Sequence, residues 1–135
     1  MAGPHRHAWI RAALLVGIVY FLVGRLFTLP ADHVHAWRLA AWLISGIAYA
    51  AHIGYEHFKL RNSPRVLAAH AALAVAIGAI GLAFAGMIHS LSTTSTIRPT
   101  WFLALFLFPV VTGVPAFLAA LVAGTVLARF PRNTS

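Results

Sequence analysis

Four long apolar runs constrain this chain more than any other feature. They cover about residues 9–27, 37–58, 66–89 and 101–127. A helix crosses a bilayer with roughly 20 consecutive, mostly apolar residues. Each run is too continuously apolar for an amphipathic surface helix. Backbone polar groups in lipid must be satisfied within the segment, so these runs predict helices and not open strands. The connections between them are short, which predicts antiparallel neighbours. The expected fold is all-α: a polytopic membrane protein with four transmembrane helices in one up-down bundle, spanning residues 1–135 as a single domain.

Composition agrees. Apolar residues make up 61% of the 135, and charged residues only 9%. An ordinary soluble domain carries roughly 25% charged residues. A soluble enzyme, a disordered tail and a coiled coil are excluded, and little sequence is left for an extramembrane domain. There is no cysteine, so disulfides, thiolate metal sites and cysteine nucleophiles are excluded too. The nine arginines against one lysine, with abundant alanine, suggest a bacterial coding bias.

The net charge of +8 would point to nucleic acid in a soluble protein. Here the cations sit at the ends of apolar runs, where anionic headgroups and the positive-inside rule favour them. No nucleic-acid partner is expected. Arg6, Arg11, Lys59, Arg61, Arg65, Arg129 and Arg132 would share one side, while Arg25, Arg38 and Arg98 would share the other. That imbalance predicts both termini in the cytoplasm of a bacterium with the chain in its inner membrane. Trp9 then falls at the inner interface, and Trp37 and Trp101 at the outer one. Arg6 and Arg11 before residues 12–24 resemble a secretion signal. The best small-residue cleavage pattern, at residues 34–36, lies too far downstream. This segment is therefore expected to be a retained span.

Run two carries a polar stripe. Trp42, Ser45, Tyr49, His52 and Glu56 are spaced 3, 4, 3 and 4. At 100° per residue they share about 80° of arc. Hydroxyls, an imidazole and a carboxylate are expensive against lipid, so the stripe should face protein or water. It can be a proton path, a ligand set or a hydrogen-bonded seam between helices. His70 falls at the same depth on run three. His57 lies about 140° from His52 on an α-helix and should face elsewhere. Asp32, His33, His35 and His89 could form a second, outer metal cluster.

Imidazoles at two depths raise a b-type haem, and His52, Glu56 and His70 raise a divalent metal. Directly packed helices lie about 8–10 Å apart, which is narrow for a porphyrin with two imidazoles. The cofactor question stays open.

Two further patterns stand out. Ala74, Gly78, Gly81 and Ala85 form a small-residue face on run three, suited to close helix packing inside the bundle or between subunits. Pro109, Thr112, Gly113 and Pro115 interrupt run four, and predict either a helix break with freed carbonyls or a tolerated kink. Ser63 should cap the third helix with Pro64 at its first position. Residues 90–100 should form a polar loop.

No paired carboxylates or nucleophile triad appear. The expected role is a non-catalytic subunit or accessory protein, acting by association with a homo- or hetero-oligomeric membrane partner. The alternatives are a cofactor-binding electron or proton carrier and a small proton-coupled transporter.

Overall fold

The computed structural model describes residues 7–26, 32–96 and 98–130, and the regular structure within them is all helical. Helix α1 spans Ala8–Leu26, α2 Val34–Gly54, α3 Pro64–Thr94 and α4 Thr100–Leu127. A π-helical turn, Tyr55–Lys59, prolongs α2. Helices α1, α3 and α4 are long and apolar enough to cross a membrane. Helix α2 has 21 residues and is not among them. It is long enough, but its two His, two Trp, Arg38, Ser45 and Tyr49 dilute its apolar character.

Helix α3 is the central element. Its contacts with α1 and α4 are extensive, and those with α2 are sparse. Gly17 of α1 faces Ala74 and Ile77, and Gly24 faces Leu82, so α1 and α3 run in the same direction. Gly86 meets Trp101 and Gly124 meets Pro64, so α3 and α4 run in opposite directions. Small residues set these distances. A Cβ on Gly78 would lie 2.7 Å from the Tyr20 Cβ, and one on Gly17 would lie 2.7 Å from Ile77 Cγ2. Ala74 and Gly78 are buried, Gly81 packs on Phe21, and Ala85 is half-buried. The small-residue face is therefore consumed inside the chain.

The buried core lies at one end. Ile53, Leu67, Ala68, Ala71 and Ala120 join the end of α2, the start of α3 and the end of α4. The three alanines in that set let α3 and α4 approach closely, with Ile53 of α2 packed beside them.

Two local expectations change, and one pair of alternatives is decided. Helix α3 continues to Thr94 through what read as a loop. The Ser92 and Thr93 hydroxyls donate to the His89 carbonyl, and Thr94 donates to that of Ser90, so the polar side chains are satisfied within the helix. Ser95, at φ 54°, then ends it. Ser63 does precede Pro64 as the N-cap, but its side chain makes no capping bond. Helix α4 does not break at Pro109, Thr112, Gly113 and Pro115 but runs continuously across them. The Thr112 hydroxyl donates to the Phe108 carbonyl at 2.8 Å, within the helix. Thr112 is thus engaged locally, as proline-containing membrane helices allow.

A buried carboxylate hub and a cavity between the helices

The π turn creates the site. The Leu60 N–H donates to the Tyr55 carbonyl, five residues back, at 3.2 Å. That widens the turn and reduces the rotation per residue. His57 therefore comes round to the inside and is 1% exposed, instead of facing away as an α-helix would place it. The backbone N–H of Asn62 returns to the Glu56 carbonyl at 3.1 Å, folding the basic turn back over the helix end.

Glu56 is fully buried, and its carboxylate gathers groups from three directions. His70 Nδ1, on α3, lies 3.0 Å from Oε2. The Asn62 side-chain amide donates to the same oxygen. His52 Nε2 lies 3.5 Å from Oε1, one turn back on α2. That last distance is an electrostatic contact more than a formed hydrogen bond. An ionised carboxylate only accepts, so in that state His70 donates from Nδ1. Burial of a carboxylate is costly unless it is paired and hydrogen-bonded, and this one is.

Trp9, on α1, lies flat on His70, with ring centroids 4.2 Å apart and planes within 5°. Three helices and a turn thus converge on one polar cluster. Asn62 and Trp9 were missed at the sequence level. Asn62 sits among Lys59, Arg61 and Arg65 and reads as loop, while Trp9 reads as an interfacial anchor.

The rest of the stripe divides. The Tyr49 hydroxyl donates to the Ala116 carbonyl of α4. Ser45 is half-buried, and Trp42 is 79% exposed. The stripe therefore does not face protein along its whole length. Helix α2 packs only sparsely on α3 and α4, and along its middle a cavity of about 610 Å³ lies between all four helices. Tyr20, Ser45, Tyr49, Ala79 and Thr112 are among its walls.

The outer histidine cluster does not assemble. Asp32, His33, His35 and His89 are all exposed. Among the described residues no group of three or more His, Asp or Glu side chains is placed to hold a metal ion. The first three lie at the start of α2 and His89 lies on α3, two helices with little contact. In the inner cluster His70 Nδ1 is engaged by Glu56 and its ring face by Trp9, while neither contact uses Nε2.

Comparison of the chain with protein-family models, with curated proteins and with solved structures returned no match.

Proposed function

We propose that the chain is a small integral membrane protein of a bacterial inner membrane, with four spans and both termini in the cytoplasm. It serves as a non-catalytic subunit or accessory protein that associates through α2. The observation that carries this reading is the state of α2. It is less apolar than the other helices and packs on them thinly. On it Leu39, Leu43 and Ile47, spaced by four, are 65%, 65% and 68% exposed. Such a ridge fits the groove of a neighbouring helix. The polar residues on the other side of α2 bind it to its own bundle through Tyr49 and Glu56.

Native mass spectrometry from lipid tests this. The expected result is an oligomer or a complex with a second membrane protein, lost in the Leu43→Ala/Ile47→Ala double variant. A lone monomer, unchanged by the substitutions, rejects the reading. The four-span topology has its own test, helped by the absence of native cysteine. His33→Cys and Ser63→Cys should react with an impermeant maleimide from opposite sides of the membrane. Labelling from the same side means that α2 does not cross.

One observation favours a second reading. A buried carboxylate between two imidazoles is a proton-binding arrangement, and intramembrane ionisable groups commonly mark proton or ion pathways. In this reading Glu56 and His70 exchange a proton. Liposome proton flux that is unchanged in Glu56→Gln rejects it.

A further inference from the structure

The cavity between the four helices is separate from the Glu56 cluster, and nothing in the association reading uses it. Its position is mid-helix on α3 and α4, at Val75–Leu82 of the former and Phe108–Ala119 of the latter. In a membrane that is hydrocarbon depth. Its volume of about 610 Å³ is that of a small-molecule site. The walls carry no charged side chain, so a charged ligand has no counter-ion there. Aromatic rings of Tyr20, Trp42, Tyr49 and Phe108 border it, and such rings stack on a flat conjugated ring. Gly46 leaves room, since a Cβ there would meet nothing within 4 Å.

One polar atom in the wall is both buried and unpartnered. The Tyr20 hydroxyl is buried and has no hydrogen-bond partner among the described residues. A buried donor without an acceptor costs free energy, and an arriving acceptor would recover it. Tyr49 differs, because its hydroxyl already donates to Ala116. Helices α2 and α4 barely touch, which leaves a lateral way in from the bilayer.

We propose that this cavity binds an uncharged, lipid-soluble carbonyl compound of the quinone class, with a carbonyl oxygen accepting a hydrogen bond from Tyr20. The site rests on the chain lying in a membrane, which fractionation of expressing cells tests separately. The probe is tritiated decylubiquinone, with the purified full chain in phosphatidylcholine nanodiscs and empty discs subtracted. Saturable binding is expected. Tyr20→Phe should weaken it about three- to tenfold, the value of one hydrogen bond. Ala119→Phe, at an exposed wall position, should fill the space and abolish it. Decylbenzene, which has the ring and chain but no carbonyl, should compete at least threefold less well than unlabelled decylubiquinone. Three results overturn the proposal: no saturable binding to a protein that does fractionate with membranes, undiminished binding to Ala119→Phe, or equal competition by decylbenzene.

Discussion

His70 Nδ1 lies 3.0 Å from Glu56 Oε2, across the tight turn that joins two helices. Asn62, from within that turn, holds the same oxygen. The end of α2 is thereby tied to the start of α3 by a buried polar bond in addition to the alanine-rich core beside it.

Removing that carboxylate should be costly. Glu56→Ala leaves His70 and Asn62 without their shared acceptor. Leaving a buried donor without its acceptor typically costs about 1–3 kcal/mol. Glu56→Gln keeps an acceptor oxygen and should lose less. Thermal unfolding in detergent ranks the three proteins. An alanine variant as stable as the wild type would show that the hub contributes nothing to folding.

Trp9 should report on His70. The two rings are stacked, so removing the imidazole changes the surroundings of the indole. In a variant with Trp37, Trp42 and Trp101 changed to Phe, His70→Ala should shift the Trp9 emission maximum and increase its quenching by acrylamide. Emission and quenching left unchanged by the substitution would show that the two rings do not stack.

The two tyrosines at the cavity should respond differently to loss of the hydroxyl. Tyr49→Phe deletes the hydrogen bond to the Ala116 carbonyl and should lower stability by about 0.5–1.5 kcal/mol. Tyr20→Phe deletes a buried hydroxyl with no partner, and should leave stability unchanged or raise it. Unfolding of both variants in one detergent settles the comparison. Equal losses from the two substitutions would contradict it.

Glycines should separate into two groups. Gly78→Ala brings a methyl group to 2.7 Å from Tyr20 Cβ and 3.2 Å from the Gly17 carbonyl oxygen. Overpacking of that kind costs about 1–3 kcal/mol. Gly46→Ala and Gly54→Ala meet nothing within 4 Å. Within a helix each should be neutral or gain up to about 1 kcal/mol. Should Gly78→Ala prove as mild as Gly54→Ala, α1 and α3 are not as close as described.

Much of the site was legible in residue spacing. The stripe from Ser45 to Glu56 follows from a 3.6-residue repeat, and the depth match of His70 follows from rise per residue across a short turn. His57 was not legible, because a π turn changes the rotation on which that geometry depends. Nor were Trp9 and Asn62. Their roles depend on where α1 packs and on how the basic turn folds back, and neither leaves a periodic signal. The same holds for Trp42, which shares the stripe's angle but lies where α2 has left its neighbours.

The amino-acid sequence by itself determined the four helices and the membrane-compatible character of three of them. Those properties follow from local apolar content, which needs no long-range contact to act. Which helix became the centre was decided only in the tertiary structure. Small residues distribute along α1, α3 and α4 in the sequence, but close approach requires them to meet, as Gly17 meets Ala74 and Gly113 meets Ala76. That pairing put α3 in the middle and left α2 at the side. A cavity opened along the middle of α2, from Ala41 to Tyr49, while its end closed on Glu56 and His70.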